Sequence, residues 1–270
     1  MSDLATITFY LGLVAYSAAA TLFFAHLARR EQSTLTTWAP HLLAAAVTLH
    51  LGHVLLTSVL THTCPVESLQ FALSLSAVMV TASYLMLRRR LSIDALGVAV
   101  APLGLTFMVA AQFVSGSGAG VGLPRALLAM HITANVIGFG LFLLAGFAGS
   151  FYLILERRLK AKRVAALHAR LPALDALDRA EHRLLLAGFP LLTFGAVTGA
   201  MFVHELGQMS GAAWVRAVLA YATWALVAMV LILRRVAGWR GRRSAYGTLA
   251  GVLCVLVVVL IYILQAGVGV

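Results

Sequence analysis

Long apolar segments alternate with short polar ones along the chain. Apolar runs of about 20 residues, enough to cross a bilayer as a helix, occur eight times. The runs lack the two-residue alternation of strands and are too long for barrel strands, and only helices and closed barrels satisfy the backbone in lipid. The pattern predicts an all-α integral membrane protein in which residues 1–270 form a single bundle of eight transmembrane helices. The predicted spans are residues 6–27, 38–60, 69–87, 93–113, 126–155, 184–203, 214–233 and 244–264.

The distribution of positive charge predicts the orientation of the bundle. Hydrophobic residues make up 61% of the chain and charged residues 11%, yet the formal net charge is +11. Of the 20 Lys and Arg residues, 18 lie in the loops after predicted helices 1, 3, 5 and 7. By the positive-inside rule these loops face the cytoplasm, so both termini are expected outside a bacterial cytoplasmic (inner) membrane. Because the charge follows topology and forms no base-reading face, nucleic acid is not an expected partner.

The longest of these loops is a basic cytoplasmic connector over residues 156–183. Its apolar residues recur at helical spacing, which suits either a solvated amphipathic link or a surface that docks a partner or the membrane. No Asp or Glu lies in the middle of a predicted span. Proton-coupled carriers generally need such a buried carboxylate. The absence of this carboxylate makes transport less favoured than the two functions considered below. Small-molecule transport is kept as a third hypothesis, and it would depend on the polar positions of predicted helix 2.

Those polar positions are His50 and His53. His50 lies 12 residues beyond Trp38, where helix 2 is predicted to begin, and so about 18 Å deep at 1.5 Å per residue. The spacing of three residues puts both imidazoles on one helix face. An imidazole at that depth has to hydrogen-bond, ligate a metal or line a cavity. The pair is thus either a satisfied part of the core or part of a cofactor site.

His131 and His204 form a second candidate pair. His131 begins the membrane part of helix 5 and His204 ends helix 6, so a hairpin of these helices would place both imidazoles at one level near the outer face. Two facing neutral imidazoles are the axial ligands that a haem iron accepts. Asn135 lies one turn beyond His131 and is positioned to orient it. Zinc fits less well, because only Glu205 accompanies the pair.

Three segments of the chain resemble the cytochrome c assembly protein family, the haem-handling membrane proteins that include CcsA and CcmC. The short eight-helix form is most similar to the HemX-like branch. The resemblance implies that His131 and His204 match histidines of that branch, that His50 matches a helix 2 histidine, and that His53 has no counterpart. The segments are residues 130–160, residues 174–207 with the sequence LDALDRAEHRLLLAGFPLLTFGAVTGAMFVHELG, and residues 238–245 with the sequence GWRGRRSA.

The chain departs from the family pattern at two outer-face positions. Residues 208–214 stand where relatives that present haem to cytochrome c carry a tryptophan-rich Trp-Asp motif, and residues 263–265 stand where they carry a further histidine. The resemblance therefore implies haem binding without the complete ligation machinery. The expected function is haem handling in cytochrome c assembly or haem metabolism, with haem b ligated by His131 and His204, and with His50 ligating a second haem or lining its route, supported by His53.

A second hypothesis needs no cofactor. The HemX-like resemblance also allows a membrane regulator or scaffold that acts through the connector at residues 156–183 on a cytochrome c assembly or tetrapyrrole-synthesis protein. In neither case is the chain expected to be an enzyme by itself.

Overall fold

The computed structural model describes residues 2–28, 37–62, 69–91, 93–113, 125–161, 173–205 and 211–268. These residues form eight α-helices and no strand, which agrees with the all-α prediction. Short 3-10 turns at Asp94–Leu96 and Ala111–Phe113 flank the fourth helix. The helices are α1 (Ser2–Ala28), α2 (Ala39–Thr61), α3 (Leu69–Leu91), α4 (Gly97–Ala110), α5 (Arg125–Lys160), α6 (Leu174–Glu205), α7 (Gly211–Val236) and α8 (Arg242–Val268).

Six helical segments of the described residues are long and apolar enough to cross a membrane, by length and composition. The fourth apolar segment, Asp94–Ala110, is shorter. The chain is thus a multi-pass integral membrane protein, while the count of eight crossings and the placement of the termini remain predictions. The six segments are Asp3–His26, Ala39–Thr61, Gln70–Leu91, Met130–Lys160, Leu174–Met201 and Trp214–Val236.

Helices α5 and α6 extend well beyond the spans predicted for them. The prediction ended the fifth span at residue 155 and began the sixth at residue 184, whereas α5 runs to Lys160 and α6 begins at Leu174. Both ends of the predicted connector, residues 156–183, are therefore helical continuations of the bundle. The middle of the connector, residues 162–172, lies outside the described residues.

The helices pack as two groups joined through α3. Helix α1 lies against α2 and α4, while α5 forms an extensive hairpin with α6 and also contacts α8, which packs on α7. Helix α3 contacts both α4 and α5. The two candidate histidine pairs consequently belong to different parts of the bundle, one between α1, α2 and α4 and the other between α5 and α6.

Glycines on α8 have the packing role that their spacing of four predicts. A Cβ added at Gly251 would lie 2.8 Å from the Phe142 ring of α5, and one at Gly247 would lie 2.5 Å from Val230 of α7. Phe142 and Val230 belong to the buried core. The close approach of α8 to α5 and α7 therefore requires glycine, which has no side chain, at both positions.

Candidate histidine site

The α5–α6 hairpin brings His131 against the C-terminal part of α6. The Nδ1 atom of His131 lies 2.7 Å from the hydroxyl oxygen of Thr198. Thr198 is 4% exposed, so this hydrogen bond is shielded from bulk solvent. The sequence did not single out Thr198, because a threonine in an apolar helix ordinarily bonds its own backbone and carries no distinguishing pattern.

The partners of Thr198 determine which nitrogen of His131 carries the proton. The Thr198 hydroxyl lies 2.7 Å from the backbone oxygen of Phe194 and donates its one hydrogen there. It can then only accept from His131, so Nδ1 is the protonated nitrogen and Nε2 keeps its lone pair. Metal-ligating histidines generally donate their other ring N–H to an orienting acceptor in this way. In this tautomer the Nε2 lone pair is left to interact with a donor or a metal ion.

Asn135 completes the surroundings of His131. Its side-chain nitrogen donates to the backbone oxygen of His131 at 2.9 Å and lies 3.3 Å from Nε2. The amide lies over Gly195 of α6, where a Cβ would overlap the amide atoms. A Cβ at Gly199 would come within 3.5 Å of the His131 ring. Gly195 therefore provides the space that the Asn135 amide occupies, whereas a methyl group at Gly199 would only make an ordinary contact with the His131 ring.

His204 lies on α6, six residues after Thr198, about 9 Å further along the helix at 1.5 Å per residue. Its side chain lies outside the described residues. The expectation that its imidazole is level with that of His131 therefore stays a prediction.

His50 is enclosed by the first group of helices. It is 0% exposed, and neither ring nitrogen has a hydrogen-bond partner among the described atoms. Its ring contacts Tyr16 of α1 edge-on, with centroids 5.9 Å apart. Burying an imidazole without a partner is costly, so His50 lies where a ligand atom or a water molecule would remove that cost.

His53 has defined partners and lines a cavity. Its Nδ1 atom donates to the backbone oxygen of Ala5 at 2.9 Å, and Nε2 lies 3.3 Å from the Gln112 amide nitrogen. The two histidines of α2 therefore differ in their surroundings despite their spacing of three. The cavity measures about 430 Å³ and is lined by Thr6, Phe9, Tyr10, Leu13, His53, Val109 and Gln112.

Two acidic residues that the sequence placed in a solvated connector are buried at the start of α6. Asp178 accepts from both terminal nitrogens of Arg234 on α7, at 2.9 and 2.5 Å, and from the backbone N–H of Gly241 at 2.6 Å. Glu181 is 0% exposed and accepts from the hydroxyls of Ser244 and Thr248 on α8 at 3.0 and 2.6 Å. The acids join α6, α7 and α8. Asp178 and Glu181 are three residues apart, so on a helix they share one face. The sequence prediction missed this because it began the helix at residue 184, whereas α6 begins at Leu174.

The fold and these sites define a class of protein: a multi-pass helical membrane protein with one fully buried histidine, His50, and partly buried histidines at His53 and His131. Within the described residues, no group of three or more His, Cys, Asp or Glu is placed to hold a metal ion. Residues 13–267 match the family described as cytochrome C assembly protein. The chain belongs to that family, which confirms the resemblance read from its motifs.

The named relatives match over shorter stretches. The chain is 33% identical over 95 residues to the cytochrome c biogenesis protein CcsA of Synechocystis sp., which covers 34% of the chain and 28% of that protein. It is 36% identical over 80 residues to CcsA of Picosynechococcus sp., covering 28% of the chain and 23% of the relative. It is 38% identical over 76 residues to CcsA of a Synechococcus species, covering 28% of the chain and 22% of that relative. The matched stretch thus spans about a quarter of each of these relatives. No solved structure matches the chain.

Proposed function

We propose that this protein binds haem b and handles it in cytochrome c assembly or haem metabolism, with His131 as an axial ligand near the outer face. The observation that carries the proposal is the hydrogen bond from His131 Nδ1 to Thr198 at 2.7 Å. That bond orients the ring and leaves Nε2 unprotonated, as haem ligation requires. Membership of the cytochrome c assembly family supports the identity of the cofactor.

His204 is the proposed second axial ligand. His131 and His204, on the two helices of the hairpin, would hold the haem iron between them, and the bound haem would supply redox chemistry. The roles of the chain are then to hold the ring of His131 through Thr198 and to place Asn135 beside it.

His50 is proposed to ligate a second haem or to line the route of haem through the bilayer. Support comes from its two ring nitrogens, which are buried and without partners among the described atoms. Each such nitrogen costs about 1–3 kcal/mol when left unsatisfied, so a ligand at this position would stabilise the bundle. His53 faces the neighbouring cavity and is proposed to support this second position.

The test is a reduced-minus-oxidised visible spectrum of the purified protein in mild detergent. We expect a six-coordinate b-type spectrum that His131→Ala or His204→Ala converts to a five-coordinate or haem-free one. His41→Ala is the matched control, because His41 is exposed near the start of α2 and should leave the spectrum unchanged. A colourless protein that takes up no added haem would refute the ligand assignment.

The cofactor-free alternative predicts the opposite pattern. Arg157, Arg158 and Lys160 are exposed at the end of α5, and Arg183 is exposed on α6, so the basic connector offers a surface to a cytoplasmic partner. If the protein is a regulator or scaffold, charge reversal at these positions abolishes its cellular function while His131→Ala preserves it. Complementation of a deletion strain with both variants distinguishes the two functions.

A further inference from the structure

Charged side chains line a second cavity, at the end of the bundle where α6 begins and α7 ends. The cavity measures about 350 Å³. Its lining holds four arginines and two aspartates, a formal excess of two positive charges when the lining histidine is neutral. The arginines are Arg179, Arg234, Arg235 and Arg240. None of the described lining residues is apolar, so the cavity suits a small anionic group and offers no wall for a porphyrin ring.

Two of the four arginines in the cavity form ion pairs with its aspartates. Asp178 binds Arg234, and Asp175 binds Arg179, so these two guanidinium groups are already neutralised. Arg235 and Arg240 are exposed at the cavity. The excess charge therefore lies on the side of the cavity that is open to an incoming ligand.

His182 adds a hydrogen-bonding group to the same cavity. Its Nδ1 atom is buried and has no hydrogen-bond partner among the described atoms. A buried polar atom without a partner calls for an explanation such as an absent ligand or water. An oxyanion in the cavity would accept from this ring as well as from the two exposed arginines.

Exposed apolar side chains lie one helical turn deeper on both helices. Leu186 follows His182 by four residues on α6, and Ile232 precedes Arg235 by three on α7, so each shares a helix face with a cavity residue. Leu186 is 51% exposed and Ile232 is 59% exposed. The surface thus presents a cationic pocket with an exposed apolar side chain one turn deeper on each helix, as the head and chains of an amphiphile require.

We propose that this cavity binds the phosphate of an anionic phospholipid whose acyl chains lie along α6 and α7. Basic pockets between transmembrane helices on the cytoplasmic side bind such headgroups, and the positive-inside prediction places this end of the bundle in the inner leaflet. Arg235, Arg240 and His182 contact the phosphate, while the Asp178–Arg234 pair keeps α6 and α7 together beneath it. The lipid thereby connects the two helices at the end opposite to His131.

Native mass spectrometry of the full chain in detergent tests this proposal. We expect the wild type to retain one phosphatidylglycerol and to bind phosphatidylcholine at least about tenfold more weakly. Each arginine near an anionic lipid contributes about a factor of five in affinity. Arg235→Ala combined with Arg240→Ala should therefore weaken phosphatidylglycerol binding about 30-fold. The matched control combines Arg158→Ala with Arg243→Ala, which removes the same charge from exposed positions outside the cavity and should bind like the wild type.

Three results would overturn the lipid site. Equal loss in the control variant would show diffuse attraction to a basic surface. Displacement of phosphatidylglycerol by inorganic phosphate at similar concentrations would show a small-anion site, and equal retention of phosphatidylcholine would remove the requirement for an anionic head. Circular dichroism of each variant checks that the helices are intact, and the Arg235→Lys, Arg240→Lys double variant should retain most of the binding.

Discussion

Replacing Thr198 with valine isolates the hydrogen bond on which the proposed ligand role of His131 depends. Valine has nearly the shape of threonine, so the packing between α5 and α6 is preserved while the hydroxyl is lost. The Nδ1–H of His131 then loses its acceptor at 2.7 Å, and Nε2 is no longer fixed as the unprotonated nitrogen. Thr198→Val should therefore weaken haem binding without removing the ligand itself.

The size of the effect follows from the position of the bond. Losing the acceptor of a buried donor costs about 1–3 kcal/mol, and removing the orienting partner of a metal-ligating histidine usually lowers metal affinity about 10- to 100-fold. Because Thr198 is 4% exposed, water has little access to replace the hydroxyl. We expect a loss in this range for Thr198→Val, with near-complete recovery in Thr198→Ser.

Titration of haem into apoprotein, followed by visible absorbance, measures the dissociation constant of each variant. The matched control is Thr223→Val on α7, since Thr223 is 3% exposed and its hydroxyl donates to the Leu219 backbone oxygen. That variant should bind haem like the wild type. If Thr198→Val binds haem as tightly as Thr223→Val, the hydrogen bond to His131 does not prepare a ligand and the reasoning from the tautomer is wrong.

Three further substitutions test other parts of the structure. Gly195→Ala places a methyl group in the space of the Asn135 amide. The free energy of unfolding, measured by titration with a denaturing detergent, should fall by about 1–3 kcal/mol, and haem should bind more weakly. Asp178→Ala leaves Arg234, whose side chain is 8% exposed, without its counter-charge and should destabilise by about 3–5 kcal/mol. His50→Leu removes two buried ring nitrogens without partners among the described atoms and should stabilise the haem-free protein, and a destabilised haem-free variant would contradict the proposed ligand role of His50.

The helices were predictable from sequence because each transmembrane helix satisfies its own backbone within one apolar run. Six of the eight predicted spans lie within a helix, whereas the second begins one residue before α2 and the fourth, residues 93–113, is longer than α4. The ends of α5 and α6 were harder to predict, because a helix can continue through the polar residues that end an apolar run. Asp178 and Glu181 illustrate the difference: a count of charges assigned them to a loop, whereas the structure buries them against α7 and α8.

The site could be predicted only in part. His131 and Asn135 are one turn apart on a single helix, so their proximity follows from helical spacing alone. Thr198 is 67 residues from His131 in sequence, and its contact depends on the register of the α5–α6 hairpin. The level of His204 relative to His131 depends on the same register and stays a prediction. The spans also gave no sign of the separation of His50 from His131, because the order of helices around a bundle is not contained in them.

Helix α6 connects the polar contacts at the two ends of the bundle. Asp178 and Thr198 are 20 residues apart on this helix, about 30 Å at 1.5 Å per residue. The ion pair with Arg234 and the hydroxyls bound to Glu181 hold one end of α6 against α7 and α8, while Thr198 holds His131 at the other. A slide of α6 by a single residue would move Thr198 by about 1.5 Å, enough to break its hydrogen bond with His131. Because Asp178, Glu181 and Thr198 all lie on α6, one register of this helix has to satisfy both the contact with His131 and the contacts of the buried acids at its far end.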